Sequence, residues 1–513
     1  MNYLFGRYIE ILRFCICLNP NFYKSSKLMR MRFLNVLLLI CFLQLSACGV
    51  ESKHENAQQP IRFALSQAPL SLDPRVATDA ASERVLRLIY QPLVDFDQHY
   101  KPNPKLATWQ MLSATEYLIT LKSPRAPFHN QLPLNAADVK ATYDAITQLA
   151  NSPLSAEYAN IQNIVVHDED HLTFYLKQPD PYFAAKLIIG IMPKPLLEQQ
   201  HDFARFPVGN GPLAFVEKSN KLMLRRTADG QLITLSEVKD PTVRVLKLLR
   251  GETDLLQGEL PAELVKYLQS KPDVTVKTSV GANYSYLGLN TQDPVLRNIK
   301  VRQAIAHAID RPALIEKVMV NHTRIAGAIL PPEHYAGNAD LAAYDYNPTL
   351  AQQLLRESGV SLPLKLVYKT STDAQRVRIA TILQAQMRPA GIELEIRSLD
   401  WGTFFEDVQH GNFQLFGLTW VGIKTPEIYS KVFGSDSVPP NGFNRGRFSD
   451  QQLDSLLEKE DWQGATQRIH EQLPYIPLWY EGQFAVLNKK ISNYAPKPDG
   501  NWDDLATIST YAD

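Results

Sequence analysis

Residues 364–396 read LKLVYKTSTDAQRVRIATILQAQMRPAGIELEI, and this stretch decides the fold class. Leu364, Leu366 and Tyr368 recur with a period of two, the spacing of a half-buried strand. Ala374 to about Arg388 then fits a helix. Gly391 breaks it, and Ile392, Leu394 and Ile396 alternate again. Strand, helix, strand in that order is a βαβ unit, which places this half of the chain in the α/β class.

Reading backwards from that unit, Asn347-Pro348 supplies a helix cap and a first helical residue, and Gly359 supplies the stop. Leu350, Leu354 and Leu355 line the apolar side of the helix between them. Val301, Ala304, Ile305, Ala308 and Ile309 form another helical stripe, and Asp310-Arg311-Pro312 opens the next helix. The first half also alternates strand and helix signals. Ile61, Phe63 and Leu65 read as a strand, and Glu83 to Tyr90 as a helix. Tyr117-Ile119-Leu121 and Leu172-Phe174-Leu176 are strands, and Asn135 caps a helix over 136–149. Gly209-Asn210-Gly211-Pro212 is turn chemistry before a hairpin arm at 213–224. Asp73, Asp79, Asp95 and Asp97 fall around the first helix, where turn or cap duty suits them.

The N-terminal region has a different character. Arg30 and Arg32 precede a mostly apolar run from Phe33 to Leu45, which ends in Leu45-Ser46-Ala47-Cys48. A basic stretch, a short apolar core and a small-residue cleavage site read as a secretory signal peptide. A cysteine at the cleavage point makes it a lipoprotein signal, with Cys48 acylated; the plainer alternative is an ordinary signal with an incidental cysteine. Residues 1–47 are then leader, with Met29 or Met31 as the better start, and residues 48–60 are lipidated cysteine and polar tether. Two or three acyl chains hold a protein firmly on a membrane. Cys15, Cys17 and Cys41 fall in the leader, so the exported part has no internal disulfide.

The 53 basic and 53 acidic side chains of the whole chain balance. Six basic residues and one acidic residue lie before Cys48, so the exported part carries 47 against 52. That mild acidity, with no basic run interleaved with aromatics, argues against nucleic acid as a partner. Catalytic signatures are missing: no G-x-S-x-G, no phosphate-cradling glycine loop, no H-E-x-x-H, no paired C-x-x-C. His129, His167, His171, His201, His307, His322 and His334 lack ligand spacing, so neither a metal nor a cofactor is indicated.

Several segments, taken in order, resemble the family-5 extracytoplasmic solute-binding proteins of peptide and nickel ABC importers. They are Leu72-Asp73-Pro74 with Ile89-Tyr90-Gln91-Pro92-Leu93, and Pro104-Lys105-Leu106-Ala107-Thr108-Trp109. Phe128-His129 with Leu134-Asn135-Ala136-Ala137-Asp138-Val139 follows, then Gly209-Asn210-Gly211-Pro212. Asn290, Val301-Arg302-Gln303-Ala304 and Ile309-Asp310-Arg311 come next, and Tyr346-Asn347-Pro348 with Gly359 closes the series. The resemblance runs from Ile61 to about Tyr494. It implies a two-lobed α/β fold with a hinge: lobe I from 61–94, 205–288 and 478–513, an extra subdomain over 95–204, and lobe II over 289–477. It implies no enzyme, but a receptor that encloses a peptide or other small polar solute by hinge closure and hands it to an ABC permease. The location implied is the periplasm or cell envelope, on the inner or the outer membrane.

The resemblance also points to site residues. Trp401 and Trp420 match two pocket tryptophans of oligopeptide binders, with the same spacing, and Trp479-Tyr480 stands where another pocket aromatic is common. Core packing is the alternative for each ring. Peptide binders fix the ligand ammonium with an aspartate where this chain has Ile423, and some place arginines where it has Val408 and Gly417. Lys424 and Glu427 offer a different charge pattern, and Arg445 or Arg447 could read an anionic group, unless they are simply solvated. Two other functions fit the same exported chain: a sensor or scaffold lipoprotein with no transporter, and, more remotely, a hydrolase acting on peptides or glycans.

Overall fold

The computed structural model describes residues 59–149, 152–319, 322–440 and 442–511. The leader expected over 1–47, Cys48 and most of the expected tether lie outside the described residues. The βαβ reading is met directly. Strand Leu364–Ser371 pairs in parallel with Ile392–Leu399, in register from Leu364↔Ile392 to Ser371↔Leu399. Asp373 caps the intervening helix Ala374–Met387 by accepting from the Arg376 amide at 2.9 Å. The helix closes through a short 3₁₀ turn at Gly391, whose φ of 82° is the left-handed conformation that favours glycine. Leu366, Leu383, Met387 and Ile392 meet in one buried core with Val301, Ala304 and Ile305.

Among the described residues the largest sheet has 11 strands. Two long strands, Val274–Leu289 and Tyr475–Asn488, run antiparallel through its middle. On one side of this pair the sheet continues through Leu415–Trp420, Leu364–Ser371 and Ile392–Leu399. On the other it continues through Leu255–Gln257, Ile61–Leu65, Leu232–Glu237 and the hairpin Leu222–Arg226 and Leu213–Lys218. The long pair is not uniform. Its register shifts between Ser279 and Asn283, opposite Glu481–Gln483. Gly281 sits in this seam, where an added Cβ would lie 1.5 Å from the Glu481 carbonyl oxygen. The amide of Ala282 donates to Pro498 O and that of Gly482 to Thr323 Oγ1, so these donors leave the ladder. The seam divides the sheet into two halves that share only these two strands.

A separate four-stranded sheet, Ala107–Ser113, Glu116–Leu121, His171–Leu176 and Ile161–Val166, packs with helix Ala136–Gln148 around Phe128, Tyr143, Phe174 and Phe183. Asn135 caps that helix in a capping box with Asp138. Asp79 caps helix Ala80–Ile89, so it begins three residues before the expected start. The Gly209–Gly211 turn then locks its far end. The Gly211 amide donates to Ile89 O at 2.7 Å, and Asn210 Oδ1 accepts from the Gln91 amide at 3.1 Å. A Cβ on Gly209 or Gly211 would strike the last carbonyls of the helix. That helix forms one wall of a cavity.

Candidate functional site

A cavity of about 340 Å³ opens between three parts of the chain. One wall is helix Ala80–Ile89 with Tyr90 and Phe96. A second is Leu154–Tyr158 with Ile188–Gly190, from beside the separate sheet. The third is the loop Val421–Lys424 after strand Leu415–Trp420, with Asp499 and Asn501 closing it. The size suits a small solute.

Its charges are mostly matched. Arg87 bonds Asp95 and Asp503, each at 3.0 Å; burial alone would depress its pKa, but these carboxylates outweigh burial and raise it. Lys424 pairs with Asp499 at 2.6 Å, and burial of Asp499 is offset by that ammonium, leaving its pKa lowered. Two groups differ. Crowding at Glu83 and Glu157 strips part of their hydration and pushes both carboxyls upward, although both residues remain accessible. Among the described residues neither side chain has a hydrogen-bond or ion-pair partner, and neither stood out in the sequence: they are 74 residues apart, and lacking a partner leaves no local signal.

The structure brings Trp401, Trp420 and Arg445 into one assembly. Trp401 is 59% exposed and stacks on Phe405, 5.5 Å between centroids. The Arg445 guanidinium lies 5.2 Å from the Phe405 ring, 4.8 Å from Trp420 and 5.7 Å from Phe443. Trp420 also meets Phe443 at 5.6 Å, and its Nε1 is buried with no protein partner. Arg447 donates to the carbonyls of Arg445 and Gln409 and so braces the loop. Beside Trp420, Arg376 donates to Thr419 Oγ1, which joins Ser285 and Glu481 in a network across both long strands.

The remaining candidates lie elsewhere. Glu427 is engaged with Lys431 at 3.1 Å and Lys186 at 3.5 Å. Trp479 is 1% exposed, in the core under the βαβ unit. Tyr480 is equally buried, and its hydroxyl donates to the carbonyls of Ala328 and Leu330. Ile423 packs against an aromatic core and places no charge in the cleft. Among the described residues no three His, Cys, Asp or Glu side chains are grouped to hold a metal, and no helix is long and apolar enough to cross a membrane.

The sequence profile of the bacterial extracellular solute-binding proteins, family 5 Middle, matches residues 101–437. The chain belongs to this family. Its members are extracytoplasmic binding proteins of ABC importers, not enzymes. Heme-binding protein A of Haemophilus influenzae is 27% identical over 322 residues, 57% of this chain and 58% of that protein. Glutathione-binding protein GsiB of Escherichia coli K12 is 25% identical over 465 residues, 84% and 90% respectively. The match thus spans less than two thirds of the first relative and nearly all of the second. HbpA2 from Haemophilus parasuis superposes with a TM-score of 0.77 at 22% identity, covering 88% of this chain and all of that one. The family-5 architecture, two lobes of mixed α/β structure, is therefore the fold of this protein.

Proposed function

We propose that this family-5 protein captures a peptide-like or other small polar solute in the cavity between its lobes, by hinge closure, and delivers it to an ABC permease. The observation that carries this reading is the cavity itself. Its walls come from separate halves of the molecule, joined by two strands with a register break at Gly281 and Glu481. A rotation at that seam would open and shut the cavity while the strands stay paired on both sides. We place the hinge there, so the crossings between lobe I and lobe II fall near 281 and 481 instead of the 288/289 and 477/478 expected from sequence, and the extra subdomain keeps its expected span. Native mass spectrometry of the exported protein, purified without refolding, tests it. A discrete extra mass released on denaturation is expected, and X-ray scattering should show a smaller radius of gyration with solute than without. A protein whose dimensions no solute changes would overturn closure.

The Leu45-Ser46-Ala47-Cys48 sequence supports attachment of this receptor to a membrane through acylated Cys48. Cys48→Ser should move it from the membrane pellet to the soluble exported fraction. Retention in the pellet would reject the anchor.

A further inference from the structure

Resting on that receptor reading, we infer that the end of the solute seated in the cavity carries a positive charge, held by Glu83 and Glu157. The argument begins from the charge census of the walls. Three cations line the cavity: Arg87 and Lys424 have carboxylate partners already in place, and Arg84 lies over the Trp502 ring. Glu83 and Glu157 approach from two different walls, and among the described residues neither has a hydrogen bond or ion pair. Both carboxylates are open to the cavity and lack a counter-ion among the described residues, and a cationic ligand group would supply one through a charge-assisted hydrogen bond.

The cations near these carboxylates do not serve as partners. Lys186 and Lys431 attract Glu157, but Lys186 bonds Asp180 at 2.7 Å and Lys431 bonds Glu427 at 3.1 Å. Asp180 and Glu427 in turn repel Glu157. Arg84 attracts Glu83 but lies over the Trp502 ring at 5.5 Å, while Asp79 and Glu157 repel Glu83. Crowding and these like charges push both carboxyls upward, the response of groups held close to a site without their counter-ion. Tyr90, Phe96 and Tyr158 line the same space, with Tyr90 and Tyr158 buried and the Phe96 ring under the Lys424 ammonium at 5.8 Å. A helix-dipole role in the first turn would account for Glu83, but Glu157 lies in a turn outside any helix.

The test is a thermal-shift panel on the exported protein and on the Glu83→Gln, Glu157→Gln and double variants. Probes are tri-alanine and N-acetyl-tri-alanine, lysine-containing tripeptides, putrescine, glutathione, succinate and glucose, each at 1 mM as a matter of order of magnitude (about 100 times a Kd near 10 µM gives a clear shift). The expected result is that stabilising compounds all carry an amine, that N-acetylation removes the shift, and that each single variant weakens binding about tenfold or more. In the double variant the preference for amines should vanish while the unliganded protein still melts cooperatively. Stabilisation by N-acetyl-tri-alanine equal to that by tri-alanine, or an amine preference that survives in the double variant, would overturn this inference and leave the receptor reading standing. A wild-type protein that no compound stabilises would count against both.

Discussion

Arg445 is held by faces rather than by charges. Three rings surround its guanidinium, and its Nε donates to Gln409 Oε1 at a long 3.4 Å. Desolvated stacking of this kind contributes about 1–2 kcal/mol, and lysine has no flat face to reproduce it. Arg445→Lys should therefore lower stability in urea by about 1 kcal/mol or more. Arg445→Ala and Trp420→Ala should cost less together than the sum of the two, because both remove the same stack. Full additivity, or an unchanged Arg445→Lys melt, would reject this account. In sequence Arg445 reads as an anion reader or a solvated loop residue, because its rings come from three separated segments. The caps at Asn135 and Asn347 were legible because a cap and its amide lie within three residues of each other. Glu83 and Glu157 supply a pH dependence. Their pKa values are raised in the folded state, so their contribution favours folding below the ordinary carboxylate pKa, about 4.3, and is lost as pH rises through the raised values. Without ligand, Glu83→Gln/Glu157→Gln should melt slightly above wild type at pH 7, and the gap should close toward pH 4. A gap that widens on acidification would contradict it. The effect should be modest, because solvent still reaches both residues.

At the scale of elements, the seam in the long strand pair is the feature that sequence did not reveal. From Tyr284 to Leu289 every residue of strand Val274–Leu289 is buried, so the alternation that exposes a half-buried strand is absent. Tyr475–Asn488 hides for the same reason, six buried residues running from Tyr475 to Tyr480. The βαβ unit was legible because its strands keep a period of two and its helix is closed by Asp373 and Gly391. The seam makes Gly281 obligatory on steric grounds. A Cβ meeting the Glu481 carbonyl would push the two strands apart, so Gly281→Ala should destabilise by about 2 kcal/mol or more. It should also weaken solute binding beyond the loss of folded protein, since it distorts the proposed pivot. Gly230→Ala, at a left-handed position with open space around it, separates conformational strain from collision. Equal costs at the two sites would remove the steric explanation.

For the whole molecule, the α/β class followed from one unit, whereas the two-lobed arrangement followed only from the ordered motifs. Non-local pairing explains the difference. The first strand, Ile61–Leu65, lies in the interior of the large sheet, between Leu232–Glu237 and Leu255–Gln257, and Leu255–Gln257 is closed in turn by Ala485–Leu487. A chain that crosses a membrane N-terminus first thus delivers its opening strand long before the strands that flank it. Contacts at such sequence separation form slowly. The emerging polypeptide cannot complete the large sheet until Tyr475–Asn488 has passed, so the two-lobed body closes late, whereas the separate four-stranded sheet has all its strands within residues 107–176. Chains stopped before Tyr475 should accordingly be protease-sensitive around Ile61–Leu65 and Leu255–Gln257, while the separate sheet over 107–176 resists cleavage; equal protection of both regions would contradict it.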